Sequence, residues 1–218
     1  MRAQSDTQLV QLDGWTLRAR PAQARPSRLL LLIHGWTGDE NSMWVFARNL
    51  PPDYWVLAPR APLATRPSGY SWRVAPPEGG TAPSLEDLRD SGNALIALVD
   101  TYCAKEGIPG PTLDAIGFSQ GAALAGTLAF LYPKRIGKVG MLAGFIPEGA
   151  GTLLSERLLD GKRFFVAHGS MDETVSIEYA RQSARLLETA GAQVTLCEDE
   201  VGHKVSAGCL RGLETFLA

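Results

Sequence analysis

The chain has 218 residues, 45% hydrophobic and 20% charged, the composition of one soluble globular domain spanning 1–218 with room for a full core. Its formal net charge is −2 with no run of like charges, which sets aside a nucleic-acid or anionic-membrane surface as its main business. No apolar stretch approaches the length of a membrane span and the start, Met1-Arg2-Ala3-Gln4-Ser5-Asp6, is polar, so the sequence predicts a cytoplasmic protein without stable membrane insertion.

Leu9-Val10-Gln11-Leu12 and Trp15-Thr16-Leu17-Arg18 flank Asp13-Gly14, a hairpin signal. Arg28 to Ile33 is a continuous apolar run, as in a strand buried on both faces. Trp55 to Ala58 is a short strand closed by Pro59, and Arg60 to Pro83 is irregular, rich in proline, glycine and aromatics. A capping box at Ser84-Leu85-Glu86-Asp87 opens a helix to about Lys105. After a Pro-Gly-Pro break come a strand over Thr112–Ile116, Gly117-Phe118-Ser119-Gln120-Gly121, and a buried helix from Ala122 to Leu131 closed by Tyr132-Pro133. Lys138–Ala143, Arg163–Ala167 and Gln193–Cys197 read as strands, and Ser176–Thr189 and Ser206–Leu217 as helices.

A hairpin followed by alternating strands and helices predicts a three-layer α/β sandwich with a mostly parallel central sheet and an antiparallel N-terminal hairpin. Ligands of such sheets sit at the carboxyl ends of the strands, which gathers the loops beginning at His34, Gly117, Gly144, His168 and Glu198 into one crevice. Cys103, Cys197 and Cys209 are odd in number and widely spaced; they show neither metal-ligand spacing nor a disulfide framework and read as buried thiols.

Gly117-Phe118-Ser119-Gln120-Gly121 fits G-x-S-x-G, and its place between a strand and a helix makes it a candidate nucleophile elbow. The bland alternative is a glycine-rich turn with a capping serine. A serine hydroxyl needs a base, usually histidine. Of His34, His168 and His203, only His203 follows both the serine and an acid on the preceding strand-end loop, the chain order of this triad type. Asp172 is the preferred acid and Glu173 the runner-up; Asp172 would otherwise cap the helix starting near Thr174. Glu198, Asp199 and Glu200 fit a solvated acidic loop, and His34 and His168 fit backbone-bonding roles at tight glycine turns. The oxyanion would rest on the amides of Gln120, next to the serine, and Trp36, in the loop His34-Gly35-Trp36-Thr37-Gly38.

These segments, with Leu142-Ala143-Gly144-Phe145-Ile146-Pro147, His168-Gly169-Ser170-Met171-Asp172-Glu173-Thr174-Val175 and Gly202-His203, resemble the phospholipase/carboxylesterase group of α/β-hydrolases, which includes acyl-protein thioesterases. The resemblance implies a Ser119–Asp172–His203 triad, Trp36 and Gln120 amides as oxyanion hole, and esterase chemistry without metal or cofactor. Trp36 stands where the family often has leucine, and Tyr70-Ser71-Trp72-Arg73 matches the family's aromatic loop in part. No long lid-like insertion follows Gly144, so an open cleft is expected, with Trp36, Trp72, Phe145, Ile146 and Val175 as candidate walls. The expected partner is a small acyl ester or thioester, acted on by a monomer or homodimer. A perhydrolase, an amide-cleaving hydrolase and a non-catalytic binding module are the rival readings.

Overall fold

The computed structural model describes residues 6–25, 27–74, 82–108, 112–151 and 157–218. The first five residues, the Pro-Gly-Pro break at 109–111 and part of the long irregular stretch (75–81) lie outside them.

The N-terminal hairpin is β1 (Gln8–Leu12) and β2 (Trp15–Arg20), with Asp13 and Gly14 both at positive φ in the turn. The buried run is β3 (Arg28–Ile33), followed by β4 (Tyr54–Pro59). Short strands β5 (Leu63–Ala64) and β6 (Tyr70–Ser71) form a separate pair within the stretch expected to be irregular. Then come helix α1 (Leu85–Glu106), β7 (Leu113–Phe118), α2 (Gln120–Leu131), β8 (Ile136–Leu142), β9 (Arg163–Gly169), α3 (Ile177–Thr189), β10 (Gln193–Asp199) and α4 (Ala207–Leu217).

Eight strands form one sheet in the order β1-β2-β4-β3-β7-β8-β9-β10. β2 pairs antiparallel with β1 and β4; every pairing from β4 through β3 and β7 to β10 is parallel, the arrangement the sequence predicts. Strand geometry sends alternate side chains to opposite faces, and the core divides accordingly. Leu29, Leu31 and Ile33 of β3 and Phe164 and Val166 of β9 pack with α1, α2 and α3. Leu30 and Leu32, with Phe165 and Ala167, pack on the other face with α4 and a 3-10 turn at Trp44–Ala47. α1 starts as expected: Ser84 Oγ accepts from the Asp87 N–H at 3.1 Å and Asp87 Oδ2 from the Ser84 N–H at 2.8 Å.

One expectation is overturned. Cys197 of β10 and Cys209 of α4 form a disulfide with Cα atoms 5.7 Å apart, rather than standing as separate thiols. A separation of 12 residues carries no signal; tertiary packing makes the bond, because α4 folds back against β9 and β10. Cys103, on α1, is free and buried as expected.

Candidate active site

The register of the sheet places the four relevant strand ends near one another. β3 lies beside β7 with Ile33 opposite Gly117, β7 beside β8 with Phe118 opposite Leu142, and β9 beside β10 with Gly169 opposite Asp199. The loops carrying Trp36, Ser119, Asp172 and His203 therefore leave the sheet at the same edge.

Ser119 joins β7 to α2 at φ 53° and ψ −117°, a strained conformation for a residue with a side chain. Its N–H donates to the Leu142 carbonyl at 2.8 Å and its own carbonyl accepts from Ala122 at 2.9 Å, so the strain is held by the sheet on one side and the helix on the other. Its hydroxyl makes no capping bond, which removes the bland reading of a capping serine. The flanking glycines are there for space. A Cβ on Gly117 would lie 1.9 Å from the Gly121 carbonyl oxygen, and one on Gly121 would lie 2.1 Å from the Ile33 carbonyl oxygen. We predict that Gly117→Ala costs about 3 kcal/mol or more and lowers the melting temperature by about 6–12 °C. A fall below about 2 °C would show that the turn has room to move.

Ser119 Oγ lies 3.0 Å from His203 Nε2, and His203 Nδ1 lies 2.7 Å from Asp172 Oδ2. The imidazole packs against Phe118 at 5.1 Å between ring centroids and is part-exposed, whereas the Asp172 side chain is fully buried. Oδ2 of Asp172 faces His203, and Oδ1 accepts the N–H groups of Thr174 at 2.9 Å and Val175 at 3.0 Å in a local turn; the cap role weighed for it falls to Ser176, because the helix starts at Ile177 and not near Thr174. Burial pushes its carboxyl up. The Val175 N–H, the His203 hydrogen bond and the Thr174 N–H together outweigh that and hold it below the usual carboxylate range. Glu173 is exposed, and the described residues place no contact between it and His203.

His168 packs behind this pair. Its Nε2 donates to the Val175 carbonyl at 2.8 Å and lies 3.3 Å from Asp172 Oδ2, while its buried Nδ1 meets no partner among the described residues. His34 is fully engaged. Its Nε2 accepts from the Ala61 N–H at 3.0 Å, which forces the proton onto Nδ1, and Nδ1 donates to the Gly35 carbonyl at 2.7 Å. Burial lowers its pKa and keeps the ring neutral.

The Trp36 loop is tied down at several points. The Gly38 N–H donates to the Gly35 carbonyl at 3.0 Å and the Thr37 N–H to the Tyr70 carbonyl at 3.0 Å, while Trp72 Nε1 donates to the His34 carbonyl at 2.8 Å. The Trp36 N–H donates to no protein acceptor among the described residues. Gln120 is the first residue of α2, so its N–H has no acceptor inside the helix. Two preorganised donors beside a serine can receive a developing oxyanion.

A hollow of about 770 Å³ opens beside Ser119 and His203, walled by Trp36, Met43, Val45, Phe46, Phe118, Val205 and Leu210, with Lys204 also lining it. Of the expected wall residues, only Trp36 lines it. Trp72, 1% exposed, is core: its N–H donates to Gln120 Oε1 at 3.0 Å, so it ties the β6 loop to the elbow. Phe145 and Ile146 line a separate hollow of about 210 Å³ against Tyr179 of α3. Val175 gives its backbone, not its side chain, to the site. The missed walls left a partial trace. Ile116 and Phe118 are two apart on one strand and share the α4 face, so Phe118 could have been placed beside the crevice.

The family model described as phospholipase/carboxylesterase matches residues 18–218. A probable carboxylesterase of rice (Oryza sativa subsp. japonica) is 28% identical over 216 residues, covering 90% of this chain and 79% of its own. Acyl-protein thioesterase 1 of Debaryomyces hansenii is 27% identical over 192 residues, covering 78% and 81%. Among solved structures, a carboxylesterase from Mesorhizobium loti superposes with a TM-score of 0.82 at 20% identity, over 98% of this chain and 99% of that one. The Bacillus cereus carboxylesterase gives 0.81 at 22% identity, over 94% of each chain.

Proposed function

The chain belongs to the phospholipase/carboxylesterase family of α/β-hydrolases and is an ester-hydrolysing serine hydrolase, and we propose that it is a carboxylesterase for short- to medium-chain acyl esters, using Ser119, His203 and Asp172 as its triad. The observation that carries this reading is the continuous line from Asp172 Oδ2 through the two ring nitrogens of His203 to Ser119 Oγ, at 2.7 and 3.0 Å.

His203 Nε2 takes the hydroxyl proton as Ser119 Oγ attacks the acyl carbon, and Asp172 stabilises the resulting imidazolium. The carbonyl oxygen becomes an oxyanion between the N–H groups of Trp36 and Gln120. The C–O bond to the alcohol breaks, and the alcohol leaves with the proton from Nε2. Water then repeats the sequence on the acyl-serine, releasing the acid and restoring the hydroxyl.

The hollow of about 770 Å³ falls within the size range of small-molecule sites, and its apolar walls suit an acyl chain or apolar alcohol. A thioester is the second substrate, favoured by the relative named acyl-protein thioesterase 1. No helix among the described residues is long and apolar enough to cross a membrane. We propose that it acts as one domain over 1–218, monomeric or as a homodimer.

We predict Ser119-dependent hydrolysis of p-nitrophenyl esters that is fastest between acetate and octanoate and falls toward palmitate. Activity confined to the longest chains would replace this reading with a lipid or acyl-protein substrate. Absence of Ser119-dependent turnover at every length would leave a binding module.

A further inference from the structure

We propose that the Cys197–Cys209 disulfide is the positioning element of the base: it closes the loop that carries His203, and its reduction lowers turnover by releasing the imidazole from Ser119. This rests on the assignment of His203 as the base.

Cys197 lies near the end of β10 and Cys209 in the first turn of α4; His203 falls midway between them in the chain. The intervening segment has no regular structure between Asp199 and Ala207, yet it supplies His203, Lys204 and Val205 to the cleft. Its two ends are anchored differently. At the start, the Asp199 carbonyl accepts from the Ser170 N–H at 2.8 Å and the Val201 carbonyl from the Met171 N–H at 3.1 Å, tying the loop to the Asp172 turn. At the far end, the Ser206 hydroxyl caps α4 by accepting from the Cys209 N–H at 3.0 Å, a bond within the helix that does not tie the helix to the sheet. The C-terminal end of α4 is tied to the sheet, where the Leu217 carbonyl accepts from Lys138 Nζ at 3.2 Å, Arg28 Nη1 at 3.1 Å and the Tyr54 hydroxyl at 3.3 Å; at its first turn, next to the His203 loop, the disulfide is the tie to β10. Among the described residues β10 is moreover an edge strand, paired to β9 and largely exposed. A base must be held within a fraction of an ångström of its partner, and a displacement of about 1 Å costs on the order of 10²-fold in rate. A covalent closure around the base therefore serves catalysis as well as the fold.

Cys209 is buried and Cys197 is part-exposed, so the Cys197 sulfur is the one open to attack. A small thiolate attacks it, forms a mixed disulfide on Cys197 and releases the Cys209 sulfur, which takes a proton. A second thiol attacks the mixed disulfide, leaving the Cys197 thiol and one disulfide of the reductant. Two electrons and two protons pass to the protein and two thiols are oxidised. Cys103 is buried on α1, on the other side of the sheet, and takes no part.

The test uses the full chain, purified without reductant, against the same protein after dithiothreitol and against the double variant Cys197→Ser/Cys209→Ser. Thiol titration under denaturing conditions should give one free thiol before reduction and three after. At a temperature where circular dichroism shows all forms folded, reduction and the double variant should each lower kcat by about 10- to 10²-fold with KM nearly unchanged. The loss should be larger for alkyl esters than for p-nitrophenyl esters, because alkoxide leaving groups depend on the proton His203 donates. Reoxidation should restore wild-type turnover and leave the double variant as it was. Three thiols before reduction, or equal kcat and equal alkyl-to-aryl ratios in both redox states, overturns the proposal. An oxidised protein without Ser119-dependent turnover overturns the triad reading, and this proposal with it.

Discussion

Ser119→Ala and His203→Ala are each expected to lower kcat by about 10⁴- to 10⁶-fold while leaving the melting temperature nearly unchanged. The two halves of this prediction come from different features. Among the described residues the Ser119 hydroxyl caps nothing and bonds to His203, so removing it takes away one oxygen and one hydrogen bond. The strained φ of 53° belongs to the backbone and stays with alanine. His203 is part-exposed, so its loss opens no core cavity, although Phe118 loses a ring contact. A loss of 10⁵ corresponds to about 7 kcal/mol of transition-state stabilisation, far more than any hydrogen bond in a ground state supplies. The double variant should be no slower than the worse single one, since neither residue works without the other. Two steady-state assays and a melting curve check the prediction. A variant within tenfold of wild type would remove that residue from the mechanism.

What could be read from the sequence follows how local its causes are. The β3 run was legible because a strand buried on both faces must be apolar at every position, and its residues do divide between the two cores. The elbow was legible because steric exclusion around Ser119 admits only glycine at 117 and 121, a requirement written in adjacent residues. The order of loops along the chain brought Ser119, Asp172 and His203 into one line because parallel strands all end at the same edge. The cleft walls were not legible. Phe46 sits in a 3-10 turn without hydrophobic periodicity, and Trp72, a candidate wall, instead uses its indole N–H and backbone to fasten the Trp36 loop and the elbow. The disulfide was out of reach for a similar reason, since only the return of α4 across β10 brings the two sulfurs together.

Asp172→Asn is expected to lower kcat by about 10⁴-fold with the fold intact, through the tautomer of His203. In the native site Oδ1 accepts two backbone N–H groups, from Thr174 and Val175, and Oδ2 accepts from His203 Nδ1. Those two donors allow only an oxygen at the Oδ1 position, so the amide NH₂ of asparagine must occupy the Oδ2 position. There it donates to Nδ1, which becomes an acceptor, and the ring proton moves to Nε2. An N–H then points at Ser119 Oγ, and the base is lost although every heavy atom stays in place. The Thr174 and Val175 contacts persist, but the buried NH₂ then faces the His168 Nε2–H, which lies 3.3 Å from the Oδ2 position, so stability near neutral pH should fall by about 1–3 kcal/mol. Its pH dependence should differ more. The Asp172 carboxyl is held below its unfolded value of about 3.9, so its stabilisation is complete above that value and lost as pH falls through the lower folded one. The variant lacks this contribution, and the gap between the two proteins should close as pH drops from neutral through the acid range below about 3.9. Urea unfolding across that range and steady-state kinetics at pH 7 check both halves. The exposed neighbour separates the two acids: Glu173→Gln should leave kcat unchanged, and a large loss there with Asp172→Asn near wild type would move the acid by one residue.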